Sequence, residues 1–336
     1  MARGAGATLP PGRRALRRVG AVRTVAGMSR NMPERRSHLD AGAVTLLVFL
    51  CSLWGLQQVS VKLAVADGLA PALQAAMRSV GAAICVAAWT AWRDGRVGLA
   101  ALVARPALFP GLGVAVLFAG EFLALFRGLP LTTASRGVVF LYSAPFFVAA
   151  GAHLFIPGER LRAVQVGGLL LAFAGMAAAF AEKMLAGGGS LTGDLLCLLG
   201  GALWASTTLC VRLSPALAAA PPATVLWLQL AGSAPILIVT SYLWGEVTPF
   251  PAIGEVAWLA LFYQTVVIAF ASYLAWFRMI KVYPAARIAG FTFLAPLFGI
   301  VAGWAILGES LSWGLLAGVV AIAIGMRMIN TRPEAK

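Results

Sequence analysis

Charge is scarce in this sequence, and acids are scarcer than bases: 11% of the 336 residues are charged, with 12 Asp and Glu against 26 Lys and Arg. The only histidines are His38 and His153, too few for a histidine-based metal site. The four cysteines, Cys51, Cys85, Cys197 and Cys210, all fall in apolar segments without CxxC spacing. They read as small core residues rather than metal ligands or disulfide partners. No GxxxxGK[ST] loop is present, so ATP is not the expected energy source. GxSxG, HExxH and a pair of intramembrane aspartates are also missing, which argues against an intramembrane enzyme. A channel would want a symmetric ring of filter residues, and none is evident. Neither a cofactor nor a metal is expected.

What the chain has instead is apolar length. Sixty per cent of its residues are hydrophobic. They lie in runs of roughly 20, enough to cross a bilayer core of about 30 Å as helix. Strand alternation is absent and the runs are too continuous for a porin-type barrel, so the fold class is an all-α membrane protein. Ten spans are expected, at about 42–65, from Pro71 onward, 106–127, 131–156, 162–181, 191–212, 221–244, 255–280, 284–307 and 311–329.

The net charge of +14 is then a statement about topology, not about nucleic acid. Nine arginines precede Asp40, and Arg93, Arg96, Arg105, Arg160, Arg162, Arg212, Arg278, Lys281, Arg327, Arg332 and Lys336 fall in alternate loops or tails. Both termini are therefore expected inside. Residues 1–40 lack the apolar region of a secretory signal and read as a basic cytoplasmic tail. A transit peptide, or a true start at Met28 or Met32, remains open.

The chain is also written twice. Ala124, Phe126, Arg127, Arg136 and Pro145 recur in order and spacing as Ala275, Phe277, Arg278, Arg287 and Pro296, and Gly158-Glu159 recurs as Gly308-Glu309. A unit at 41–181 is thus followed by a Gly-rich joint at 182–190, a second unit at 191–330 and a tail at 331–336. Five spans per copy is an odd number, so the second copy enters the membrane from the opposite face. Two inverted five-helix repeats are the architecture of secondary transporters.

These residues, with Leu53-Trp54-Gly55 followed by Lys62, the echo Leu203-Trp204-Ala205 followed by Arg212, and the prolines of spans four and nine, resemble the drug/metabolite transporter superfamily, specifically its EamA-type members. The resemblance covers about residues 42–329. It implies a carrier that exports or exchanges a small metabolite such as an amino acid, with the last span of each half often at a dimer contact. A bacterial inner membrane is the expected location. A non-transporting receptor or scaffold with a ligand cavity is the alternative reading, although the loops are too short for a soluble signalling domain.

Ionisable groups inside spans cost about 2.5–3.5 kcal/mol each on insertion scales, so each needs a reason. The candidates are Lys62, Arg78, Glu121, Arg136 and Arg287. Glu121 reads as a substrate-amine partner, a proton carrier or the ion-pair partner of an arginine, with Arg78 the nearest in prospect. Arg136 and Arg287, one near each mouth by inversion, read as gates or carboxylate receptors, or as snorkelling side chains. Trp54, Gln58 and Lys62 fall at successive fours on one helical face, suited to a cavity or to an interhelical polar contact. Pro145 and Pro296 are expected to kink their helices and to act as hinges. Tyr142, Ser143, Thr292, Trp204, Thr208, Gln264 and Tyr273 complete the cavity candidates, and Gln229 stands where the first half has Arg78. Glu159 and Glu309 are expected to cap spans five and ten. Gly314 and Gly318, with Gly168 and Ala172, mark faces for homodimerisation or for packing within the chain.

Overall fold

A computed structural model describes residues 36, 38–185, 187–247, 252–308 and 313–331. Among the described residues the chain is helical without strands. Among the described residues, nine helices are long and apolar enough to cross a membrane: Ala41–Ala66, Pro71–Leu102, Arg105–Leu131, Ala134–Phe155, Ala163–Glu182, Leu191–Leu213, Pro222–Leu243, Glu255–Val282 and Ala285–Leu307. A shorter apolar helix, Gly314–Ile329, follows as the tenth.

Local chemistry explains where the spans begin and turn. Asp40 caps span one by accepting the Ala43 N–H, Thr133 caps span four through the Arg136 N–H, and Ser190 caps span six through the Gly193 N–H. Each supplies an acceptor to an N–H that helix geometry leaves without one. Pro71 and Pro222 sit in the first turns of spans two and seven, where a missing N–H is harmless. Gly68, at φ 95°, permits the turn between spans one and two. Span two runs well past a crossing, to Leu102, with a non-helical Gly95 at φ 59° inside it. The basic residues Arg93 and Arg96, expected in a loop, are therefore on helix, and Arg93 stacks 4.4 Å over the Trp89 ring.

The packing repeats as the sequence does. Span one packs on span nine, and its counterpart span six packs on span four; span three packs on spans six and seven, and its counterpart span eight packs on spans one and two. Spans two and seven pack on each other, as do spans five and ten, so those two pairs lie across the pseudo-twofold. This is an all-α membrane protein of two inverted repeats. Phe49, Ile84, Trp92, Phe109 and Leu154 are exposed on its outside, as lipid-facing side chains should be.

Both proline spans are interrupted. Helix stops at Leu141 and resumes at Ala144 in span four, and stops at Phe291 and resumes at Leu294 in span nine, so that Pro145 and Pro296 lie in the first turns of the new segments. Ser143 Oγ donates to Phe140 O at 2.6 Å and Thr292 Oγ1 to Ala289 O at 2.7 Å, which satisfies a carbonyl beside each break. Span eight carries an irregularity that the sequence did not announce, a ten-residue π-helical segment at Tyr263–Ser272. Such segments concentrate at functional sites.

The glycine faces are used within the chain. A methyl group on Gly318 would lie 2.6 Å from Gly175 O, and one on Gly168 would lie 2.6 Å from Gly325 O. Spans five and ten thus approach backbone to backbone, while Leu170, Leu316, Val320 and Ile324 point outward. Replacing Gly318 by leucine is expected to destabilise the purified protein by about 1–3 kcal/mol through overpacking, seen as a lower unfolding temperature in detergent. Leu316→Ala, on the outer face of the same helix, is expected to leave that temperature nearly unchanged.

Candidate functional site

The bundle holds a cavity of about 170 Å³ between the two halves. At roughly 10–15 Å³ per water-sized group, that is room for a solute on the order of a dozen non-hydrogen atoms. Spans one, two, three, four, six, seven and eight all contribute to its lining. Let the end of the bundle where span one begins be basal and the other apical. The lining reaches Pro71 and Leu129 at the apical ends of spans two and three, and stops basally at Thr208 and Ile280.

Among the sequence candidates, Trp54, Gln58, Arg78, Glu121, Tyr142, Trp204, Gln264, Thr208 and Tyr273 line this cavity. Aromatic rings make much of the wall: Trp54 and Trp276 meet edge to face at 5.2 Å, Tyr142 and Trp204 at 5.6 Å, and Phe118 and Phe122 at 5.0 Å. Trp54 Nε1 donates to Ser272 Oγ at 3.0 Å, which fixes the ring at the end of the π segment. Gln264 Nε2 donates to Gln74 Oε1 at 3.0 Å, and Gln74 in turn donates to Leu69 O at 2.7 Å.

Arg78 and Glu121 share the cavity, yet no direct ion pair joins them among the described residues. Arg78 is 2% exposed, and its guanidinium lies 4.5 Å over the Phe122 ring. Its Nε and Nη2 are buried without a hydrogen-bond partner among the described residues, as is Oε1 of Gln229.

Lys62, Arg136 and Arg287 do not line the cavity. Lys62 is exposed on span one. Arg136 lies apically, where Nε donates to Asp194 Oδ1 at 3.1 Å and Nη2 pairs with the other carboxylate oxygen. Thr132 Oγ1 donates to the same carboxylate at 2.6 Å. Asp194, 1% exposed in the first turn of span six, is not among the ionisable candidates of the sequence. Arg287 lies basally, donating to Asn330 Oδ1 at 3.2 Å and Thr331 O at 3.0 Å. Both arginines therefore have partners within the chain, which a residue-by-residue view of spans four and nine could not reveal.

Glu159 corrects another expectation. Its Oε2 accepts the Ala285 N–H at 2.7 Å, so it caps span nine rather than span five. Its Oε1 pairs with Arg212 on span six, and Arg212 Nη1 donates to Ile280 O on span eight at 2.9 Å. Lys281 adds a second tie, donating to the carbonyls of Leu217 and Ala220 at the end of a short helix, Pro215–Ala219. Glu159 and Arg212 together thus join spans six, eight and nine at the basal limit of the cavity, one turn past Thr208. Glu309 lies outside the described residues.

Other wall residues went unread in the sequence. Phe118, Phe122 and Phe126 recur at spacing four and flank Glu121, a helical stripe that could have been counted. Gln74 and Trp276 carried no such signal.

The pattern of the EamA-like transporter family matches residues 42–181 and again 191–331. The chain belongs to that family. With it comes membership of the drug/metabolite transporter superfamily, and a chain that is a transporter rather than an enzyme. An uncharacterized transporter of Bacillus subtilis, YvbV, is 30% identical over 188 residues, 53% of this chain and 57% of that protein. The chain thus spans little more than half of that relative's length. A probable amino-acid metabolite efflux pump of Salmonella typhimurium is 29% identical over 239 residues, covering 67% of this chain and 78% of the pump. A solved crystal structure superposes with a TM-score of 0.72 over 86% of this chain and 98% of its own, at 19% identity, and so supports the fold alone.

Two outcomes test the basal contacts of this family member. The Arg212 and Glu159 side chains are only 5% and 8% exposed. Arg212→Leu leaves the carboxylate buried beside an apolar group and is expected to cost roughly 3–5 kcal/mol of stability. Adding Glu159→Gln should recover part of that loss, which a double-mutant cycle of unfolding in detergent will read. Asp40, outside the spans, accepts from the Tyr283 hydroxyl at 2.7 Å. That bond, with the Ala43 N–H and Arg36, holds its carboxyl below the usual carboxylate range. A lowered pKa makes the clamp complete above about pH 4 and lost as pH falls through the folded value. Protection of the first-turn amides of span one against hydrogen exchange, measured relative to the intrinsic rate at each pH, should therefore fall in acid. Asp40→Asn should abolish that pH dependence.

Proposed function

We propose that this transporter is a secondary carrier that exports a small amphipathic metabolite of the amino-acid kind by alternating access through the central cavity. It lies in a bacterial inner membrane with its basal end, and both termini, facing the cytoplasm. The observation that carries the reading is the polar tie at the cavity's basal end. Its lining extends to the apical ends of spans two and three and to Ile280 near the basal end of span eight, where the Glu159 carboxylate and Arg212 together tie spans six, eight and nine. Release of that tie, with bending at the breaks before Pro145 and Pro296, is the movement that opens the cavity to the other face. The basic residues gathered at the basal end agree with a cytoplasmic placement. Export of an amino-acid metabolite draws support from the named function of the Salmonella pump. A homodimer would use the outer faces of spans five and ten, because their glycine faces are already occupied by one another.

Two measurements test this. Cells expressing the protein and preloaded with a labelled mixture of amino acids should lose at least one of them faster than control cells. In a variant whose four native cysteines are replaced and Thr208 is changed to cysteine, Glu159→Gln should raise labelling by an impermeant maleimide from the cytoplasmic side. It should lower labelling from the outside. Equal labelling with and without Glu159→Gln would remove the carboxylate from the gating role, and an unchanged loss of every amino acid would count against export.

A further inference from the structure

Resting on the carrier reading above, we infer that Arg78 is the carboxylate receptor of the cavity, and that the transported solute is a zwitterion whose cationic end lies toward Glu121 and Gln229. A guanidinium in the interior of a membrane bundle is normally satisfied within the chain, as Arg136 and Arg287 are. Arg78 differs. It is almost wholly buried, it lines the cavity, and two of its nitrogens lack a partner among the described residues. Phe122 lies over one face of the guanidinium, so the remaining hydrogen-bonding capacity is in the plane of its N–H groups. Planar N–H donors match the two oxygens of a carboxylate.

The opposite requirement is met close by. Arg78 is seven residues past Pro71 at the apical start of span two, and Glu121 is seven residues before Gly128, where the α-helical part of span three ends. At 1.5 Å per residue each lies roughly 10 Å along its α-helix from the apical side, at a similar level. Phe122, the neighbour of Glu121, touches the Arg78 guanidinium. The two charges thus share a level and a cavity without an ion pair between them among the described residues. Gln229, at the position of the second repeat that corresponds to Arg78, lines the same cavity, is 3% exposed and holds a buried, unpartnered Oε1 among the described residues. Donors without acceptors on one wall and acceptors on two others describe the complement of a molecule that carries both a carboxylate and an ammonium. The Trp54, Phe118 and Trp276 rings supply the surface for its apolar body.

The test uses the full-length protein in lipid nanodiscs and in proteoliposomes, with three probes of one apolar body: phenylalanine, its decarboxylated amine phenethylamine, and its deaminated acid 3-phenylpropionate. The wild-type protein is expected to bind phenylalanine at least 10-fold more tightly than either single-charge probe and to exchange it in counterflow. Arg78→Gln should weaken phenylalanine and phenylpropionate at least 10-fold and leave phenethylamine within twofold, which also reports a folded cavity. Arg78→Lys should recover part of the loss. Glu121→Gln should show the reverse pattern, weakening the amine and sparing the acid. Phenylalanine binding by Arg78→Gln equal to wild type overturns the assignment of Arg78. Tighter binding of the amine than of phenylalanine by wild type overturns the zwitterion. If counterflow of some other solute persists in either case, the carrier reading stands without this inference. If no solute is exchanged at all, both fall.

Discussion

A charge buried in an apolar bundle must be neutralised from within the chain or must meet something that enters from outside, and this constraint sorts the polar interior of the transporter. At the apical end Arg136 is met by Asp194 and Thr132. At the basal end Glu159 is met by Arg212 and by the Ala285 N–H, while Arg287 is met by Asn330 and Thr331. Each of these groups joins helices that are distant in sequence, so the two ends of the bundle are held by polar contacts. The middle is not treated in the same way. Its walls are rings and amides, and Arg78 and Gln229 keep unpartnered atoms there. The placement of satisfied and unsatisfied groups therefore distinguishes parts that hold the helices from parts suited to a ligand.

The duplication was legible because it is a one-dimensional pattern: two arginines nine residues apart, with a proline nine further on, recur at a fixed offset. Inversion followed from counting spans, and the contacts obey it, span one with nine as span six with four. The breaks before Pro145 and Pro296 were readable for an equally local reason, the lost N–H. Partners were not readable. Arg136 and Asp194 are 58 residues apart, Glu159 and the Ala285 N–H 126, so nothing in the neighbourhood of either residue announces the other. Lys62, Arg136 and Arg287 looked like site residues because buried or near-buried charge is conspicuous in sequence. Whether such a charge faces a cavity or another side chain depends on helix rotation, which apolar periodicity leaves loosely specified in spans that are hydrophobic nearly all round.

The glycine-mediated approach of spans five and ten has a complementary consequence. In lipid, apolar side chains give helices little reason to associate, and close backbone contact supplies dispersion that long side chains would prevent. Gly168, Gly175, Gly318 and Gly325 make that contact along much of both helices. The last span of each half is thereby fixed to its counterpart. Spans one to four and six to nine carry the cavity, the breaks and the π segment. A rigid seam beside broken and irregular helices is a division of labour between support and movement.

The two repeats have not kept the same residue at the centre of the cavity, and electrostatics gives a reason. Arg78 and Gln229 occupy corresponding positions, and inversion brings both to the one cavity. Two arginines there would set like charges across a poorly screened space, where one carboxylate could neutralise only one of them. An arginine opposite a glutamine retains one cation and adds a neutral acceptor, so that a single small molecule can satisfy both walls. Symmetry serves the ends of the bundle, where related helices need related contacts. A ligand with two different ends, received near the pseudo-twofold, would give the repeats reason to diverge there.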